Sequence, residues 1–249
     1  YGYPWALSGE KVKNSFIEWL ESLRNNCCLS NIVRMILNYC LNNSHLLLPQ
    51  ACLLCGAASD RALLCAACNA ALPRLPGVRC ATCALPIPDG NLCGACLSHP
   101  PRYDSTTAVF AYAFPVDALI QRFKYGGSLA IAPLLSGVLG SAVAEPADLI
   151  IPMPLSPQRV RERGFNQALE IARGVGRMTG IPVVADVCRK IVETQPQATL
   201  PWKERTKNIR GAFVCDADLS GKRVAVIDDV MTSGATVNEL ARTLRRAGA

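Results

Sequence analysis

The spacing of apolar residues changes character twice along this chain. Between residues 11 and 24 they recur at helical intervals (Phe16, Ile17, Leu20, Leu23), and residues 32–41 do the same, so amphipathic helices are predicted over Lys11–Arg24 and Ile32–Leu41. Residues 50–100 hold no sustained period. From Tyr103 onward short apolar runs alternate with helical stretches. The pattern predicts a strand at Thr107–Ala113, helices at Val116–Tyr125 and Ala130–Ala144, and the end of a strand at Asp148–Pro152. A helix at Asn166–Met178 and a short strand at Pro182–Val184 follow. A polar segment at Arg189–Phe213, a strand at Arg223–Ile227 and a helix at Val237–Arg246 complete the series. Strands alternating with helices predict an α/β domain, a parallel sheet with helices packed around it. The expected organisation is an N-terminal helical extension (1–48), a Cys-rich module (49–102) and the α/β domain (103–249).

Composition sets bounds without choosing a function. With 249 residues and 50% hydrophobic content the chain can bury a sizeable core. A net charge of +7 and a pI near 8.8 suit polyphosphate or nucleic-acid partners, but the basic residues are scattered, so charge alone selects neither. Glu10, Lys11, Lys13, Glu18, Glu21 and Arg24 interrupt any secretory pattern near the start. The most apolar later stretch, Leu129–Ala144, is broken by Pro133 and falls short of the roughly 20 residues a membrane span needs. A cytoplasmic protein without membrane insertion is the expectation.

Thirteen cysteines change the picture, because eight of them fall into four Cys-x-x-Cys pairs. Cys52 and Cys55, nine residues, Cys65 and Cys68 are repeated as Cys80 and Cys83, nine residues, Cys93 and Cys96. A Cys-x-x-Cys turn presents two sulfurs to one ion and zinc takes four thiolates tetrahedrally, so eight cysteines suit two closed structural zinc sites. A small segment poor in core residues would draw folding energy from the metal. Spacing leaves open whether consecutive pairs share an ion or the pairs cross. Cys27, Cys28 and Cys40 read as packing thiols.

The sharpest signal lies near the C-terminus. Val224-Ala225-Val226-Ile227 runs into Asp228-Asp229-Val230-Met231-Thr232-Ser233-Gly234-Ala235-Thr236, and a helical pattern follows at once. An apolar strand ending in two acids and a hydroxyl-rich turn that opens a helix make a phosphate-and-sugar site, since free N–H groups at a helix start favour an anion. The carboxylates can accept ribose hydroxyls or face a magnesium ion, which prefers oxygen ligands. Neighbouring residues on a strand point to opposite faces, so both acids reach one sugar only where the chain leaves the pleat. Gly174, Gly176 and Gly180 lack dinucleotide-fingerprint spacing and read as a helix end. A second charged run spans Pro152 to Gln167. It contains Pro154, then Arg159, Arg161 and Arg163 within five residues, then Gly164, Asn166 and Gln167. Guanidinium forks bind oxyanions in bidentate fashion, so this run is a candidate phosphate clamp.

The acidic stretch resembles the 5-phosphoribosyl-1-pyrophosphate (PRPP) motif of type I phosphoribosyltransferases. Several motifs in order extend the likeness: Arg-Gly-Phe-Asn-Gln at 163–167, Thr194-Gln195-Pro196-Gln197, and Arg205, Asn208 and Gly211-Ala212-Phe213 ahead of Asp228–Thr236. Together with the Cys-x-x-Cys pairs they resemble the ComF family of competence-associated phosphoribosyltransferase-like proteins over roughly residues 46–249. That resemblance implies a type I phosphoribosyltransferase-like fold behind a zinc module. It implies that Asp228 and Asp229 hold the ribose hydroxyls and form the catalytic pair, that Thr232, Ser233, Gly234, Ala235 and Thr236 take the 5′-phosphate, and that Met231 belongs to the same PRPP-binding stretch. Pro152, Pro154, Arg159, Arg161, Arg163, Asn166 and Gln167 would face pyrophosphate, and Thr194, Gln197 and Arg205 would belong to a loop closing over the site. Magnesium would accompany PRPP, and the acceptor is unidentified. The resemblance also implies a link to natural transformation, with single-stranded DNA and competence proteins as partners, and admits a non-catalytic PRPP-sensing or DNA-handling alternative. Family members continue past the position of Ala249 into a further strand, so the domain is expected to lack its last strand.

Overall fold

The computed structural model describes residues 51–60, 62–75, 77–143, 146–192 and 208–249. The expected helices at Lys11–Arg24 and Ile32–Leu41, and the loop residues Thr194, Gln197 and Arg205, lie outside the described residues. The chain packs as two compact units divided after Ala70.

In the first unit, residues 51–70 form one cysteine knuckle. Cys52 N–H donates to the Ala57 carbonyl at 2.7 Å, Gly56 N–H returns to Cys52, and Leu53 N–H reaches the Leu63 carbonyl. A short helix, α1 (Ala66–Ala70), carries the last cysteine. The second unit opens with the same device shifted by 28 residues (Cys52 to Cys80). Cys80 donates to Leu85, Ala84 to Cys80 and Ala81 to Asn91, ahead of α2 (Gly94–Ser98). The internal repeat seen in the cysteine spacing is therefore a repeat of backbone hydrogen bonds. One position differs. Gly56 holds φ +75° at no steric cost, whereas its counterpart Ala84 is held at φ +59°, which costs a non-glycine residue about 1–2 kcal/mol.

The α/β part follows in the same second unit. The predicted strand Thr107–Ala113 is not one: Phe110 makes a single antiparallel bridge to Arg74, supported by Leu75 N–H to Val109 and Ala111 N–H to Pro73. The opposing segment carries Pro73, which lacks the N–H group a longer ladder requires. Helix α3 (Val116–Tyr125) buries Val116, Leu119, Ile120 and Phe123 at helical spacing. Helix α4 (Ile131–Ala142) accommodates Pro133 in its first turn, where its missing N–H is not needed. Strand β1 (Leu149–Pro152) leads into a seven-residue helix, α5 (Pro157–Arg163), which the sequence did not disclose; Ser156 caps it and Gly164 ends it at φ +79°. Helix α6 (Gln167–Thr179) closes on Gly180. Gly174 and Gly176 inside it serve close approach. A Cβ on Gly174 would lie 2.2 Å from Ser136 Oγ of α4, and one on Gly176 would lie 2.6 Å from Val183 Cγ2.

The expected strand at Pro182–Val184 is reduced to a parallel bridge between Val183 and Ile150. Strands β2 (Cys188–Lys190) and β3 (Phe213–Cys215) pair antiparallel, with Cys188 opposite Cys215. Strand β4 (Val224–Ile227) pairs parallel with β1 in the register Leu149 to Val224 through Pro152 to Ile227, and α7 (Ala235–Arg246) follows. The expected α/β class with parallel pairing is present. Ile150, Ile151, Phe123, Val175 and Leu240 are almost wholly buried around it, and burial of such side chains contributes about 1.5–3 kcal/mol each. Because β1 and β4 run parallel, their carboxyl ends, and the loops after Pro152 and Ile227, emerge side by side.

Candidate functional site

Strand β4 ends at Ile227, so Asp228 and Asp229 lie beyond the pleat. The Asp229 N–H donates to Asp228 Oδ1 at 2.9 Å, which folds the first carboxyl back over the turn beside the second. Asp229 Oδ2 is buried and lies 2.9 Å from Lys124 Nζ, one residue from the end of α3. Burial, and then the neighbouring Asp229 carboxylate, push Asp228 up to about 7 against the opposing pull of the Asp229 N–H and Lys124. Both acids line a cavity of about 580 Å³ that runs beneath residues 102–110 and along β4. In the sequence Lys124 reads as one of the basic residues that complement a helix C-terminus. Its approach to Asp229 is a tertiary event that no local pattern signals.

The turn after the acids is built for close approach. Gly234 holds φ +73° ahead of α7, and a Cβ there would come within 2.9 Å of both Met231 Cε and the Tyr103 hydroxyl. Ser233 Oγ accepts from Ala235 N–H at 3.4 Å, while Thr232 is exposed. The first-turn N–H groups of this twelve-residue helix open beside Thr232 and Ser233. Tyr103 was not foreseen. It lies just after the second cysteine cluster, in a segment fastened to α7 by Arg102 N–H to Asn238 Oδ1 at 2.6 Å and by Arg245 Nη2 to Asp104 Oδ1 at 2.7 Å.

The charged run from Pro152 to Gln167 is divided by its helical form. Pro152 and Pro154 are buried. On α5, Arg159 and Arg163 are four residues apart and share a flank, whereas Arg161 is turned about 200° away and is exposed. The run is therefore not a three-arginine loop. Arg159 lies 3.9 Å from Glu162. Arg163 Nη1 donates to Gln167 Oε1 at 3.1 Å, and its guanidinium lies 5.4 Å from the centre of the Tyr125 ring. Arg163 Nε and Gln167 Nε2 are buried without a hydrogen-bond partner among the described residues. Asn166 caps α6 by accepting from Ala168 and Leu169 N–H, and its Nδ2 donates to the Met153 carbonyl at 3.0 Å. It thus ties the start of α6 to the loop after β1. Three segments converge here: the acid turn, the end of α3, and the α5–α6 junction.

The cysteines gather in sequential fours. Cys52, Cys55, Cys65 and Cys68 bring their sulfurs within 4.8 Å of one another, as do Cys80, Cys83, Cys93 and Cys96, and the crossed arrangement does not occur. Sulfurs 2.3 Å from a tetrahedral zinc lie about 3.8 Å apart, close to the 3.7 Å between Cys55 and Cys65 and the 3.6 Å between Cys83 and Cys93. Burial works against ionising Cys52, yet N–H groups of Cys55, Cys65 and Leu54 bring it down to about 6; Cys80 is lowered alike by Cys83, Cys93 and Thr82. The donor sets fit structural zinc. The acid pair offers hard oxygens that fit magnesium in kind, with Lys124 standing against Asp229 as a competing cation.

Residues 44–97 match the family model for the double zinc ribbon domain. The chain is 32% identical over 163 residues to competence protein F of Haemophilus influenzae, covering 61% of this chain and 71% of that protein. It is 31% identical over 161 residues to the DNA utilization protein YhgH of Escherichia coli strain K12, covering 61% and 71%. Competence protein ComFC of Streptococcus pneumoniae is 27% identical over 146 residues, covering 58% of this chain and 64% of that one. Among solved structures, the glutamine PRPP amidotransferase of B. subtilis complexed with ADP and GMP matches 49% of this chain and 24% of its own, at 24% identity and a TM-score of 0.34, too slight a likeness to carry an argument.

Proposed function

Because the chain belongs to the ComF family of competence-associated proteins, we propose that it binds PRPP at the carboxyl ends of β1 and β4 and transfers the phosphoribosyl group to an acceptor with release of pyrophosphate, in the service of DNA uptake. The observation that supports this most is the acid pair leaving β4 on one turn, followed by a glycine-cornered opening of α7. Asp228 and Asp229 accept from the ribose hydroxyls, and the N–H groups and hydroxyls of Met231–Thr236 take the 5′-phosphate. The flank of α5 and α6 bearing Arg159, Arg163 and Gln167 receives pyrophosphate, and Thr194, Gln197 and Arg205 belong to a covering loop. In the step itself the bond from the anomeric carbon to the pyrophosphate oxygen breaks, an acceptor nitrogen forms the new bond, and the electron pair leaves with pyrophosphate. The protein's part is positioning and charge stabilisation. Magnesium, when bound with PRPP, neutralises the pyrophosphate charge.

Calorimetry of PRPP with magnesium tests the assignment. Asp229→Asn is expected to weaken affinity on the order of tenfold or more, and an unchanged dissociation constant refutes it. Pyrophosphate release with a panel of nucleobases tests turnover. The second reading is a PRPP-sensing or single-strand-handling protein without turnover. It is supported by exposed rings around α3, with Tyr112 50%, Phe114 78% and Tyr125 68% exposed, since exposed aromatics beside cations offer bases a stacking surface. Salt-dependent binding of single-stranded DNA with no pyrophosphate release would select it.

A further inference from the structure

Lys124 and Asp229 form an ion pair at 2.9 Å whose side chains are only 16% and 10% exposed. Apart from Lys124, Asp229 Oδ2 has no hydrogen-bond partner among the described residues. A carboxylate that accepts sugar hydroxyls must give up part of such a pairing, and a buried ammonium released from it needs another anion. The next residue of α3, Tyr125, carries Arg163 on its ring, and Arg163 and its partner Gln167 each hold a buried N–H with no partner among the described residues. Unmet donors therefore reach α3, through the Arg163 guanidinium on the Tyr125 ring, at the residue next to Lys124. Lysine suits movement between two partners, being a compact charge on a flexible stem with three rotatable donors.

Resting on the reading of this corner as the PRPP site, we propose that Lys124 is a partner-exchanging binding residue. It is the counter-ion of Asp229 before a ligand arrives, and it passes to the oxygens of the pyrophosphate group when the sugar hydroxyls engage Asp229. No covalent step is involved. The consequence is selectivity: a sugar phosphate whose anomeric carbon bears pyrophosphate satisfies the displaced ammonium, and the same sugar phosphate without it does not.

Full-length zinc-loaded protein is titrated calorimetrically with PRPP plus magnesium and, separately, with ribose 5-phosphate. Lys124→Gln keeps a donor for Asp229 and removes the charge. It is expected to weaken PRPP on the order of tenfold while leaving ribose 5-phosphate within about threefold of wild type. Lys124→Arg, which retains the charge should the glutamine variant fold poorly, is expected to keep the wild-type preference for PRPP within about threefold. Equal weakening of both ligands by Lys124→Gln, no change in either, or loss of the preference in Lys124→Arg as large as in Lys124→Gln overturns the proposal. Failure of the wild type to bind either ligand overturns the PRPP reading itself, and the exchange with it.

Discussion

Asn166 is the residue whose expected and observed roles can be separated most cleanly. The resemblance assigns it to the pyrophosphate loop, whereas both ends of its amide are engaged in structure: Oδ1 accepts from Ala168 N–H at 3.0 Å and Leu169 N–H at 3.4 Å, and Nδ2 donates to the Met153 carbonyl at 3.0 Å. Asn166→Ala deletes an N-cap, at about 1 kcal/mol within a range of 0.5–2. It also leaves the carbonyl of Met153 unpaired, for about another 1–2 kcal/mol, since that residue is 4% exposed. The expected loss is about 2–3 kcal/mol. Asn166→Ser retains a capping oxygen and loses the tether, so about 1–2 kcal/mol is expected of it. Urea unfolding monitored by circular dichroism measures both, as a lower midpoint at constant slope. If Asn166→Ala unfolds within about 0.5 kcal/mol of wild type while PRPP affinity collapses, Asn166 is a ligand group and the structural assignment is wrong.

Three further outcomes follow from the same geometry. Gly174→Ala forces a Cβ to within 2.2 Å of Ser136 Oγ and is expected to destabilise by about 1–3 kcal/mol, with Ser136→Gly restoring part of the loss in the double variant; additive losses would refute the contact. Asp228 has its folded pKa raised to about 7 from 3.8, so between those values the folded state holds more protons than the unfolded. Stability should therefore fall as pH rises through that window, and Asp228→Asn should flatten the slope of urea midpoints against pH; a slope unchanged in the variant would exclude Asp228 as its source. Chelation of zinc at neutral pH is expected to unfold the knuckles, read as thiol exposure to a chromogenic reagent, with Cys52→Ser and Cys80→Ser each removing about one bound zinc per chain; loss of both metals from a single substitution would contradict separate sites.

The parts of this molecule legible in sequence are those encoded by neighbours in the chain. Cysteine spacing disclosed the cages, although only the fold shows that Cys52 to Cys68 and Cys80 to Cys96 close separately. The run from Val224 to Thr236 disclosed a strand, two acids and a helix start because each is a local preference. Helix α5 was missed because four of its seven residues are charged and the rest offer no apolar stripe, even though Ser156, Pro157 and Gly164 mark its ends. Thr107–Ala113 was overestimated because strand propensity ignores what the partner segment can donate. Lys124 and Tyr103 lie more than a hundred residues from Asp229 and Gly234, and nothing in their local sequence records those meetings.

Closing each thiolate cage on a short local span also fixes when it can assemble. Synthesis delivers all four sulfurs of the first cage by Cys68, and of the second by Cys96, long before the ribosome reaches Asp228. Metal capture needs no distant chain and little loop-closure entropy, so both knuckles can be finished while the nascent sheet still lacks β4. The eight cage cysteines can thus be withdrawn from stray oxidation or exchange before the turn that carries the acid pair is made.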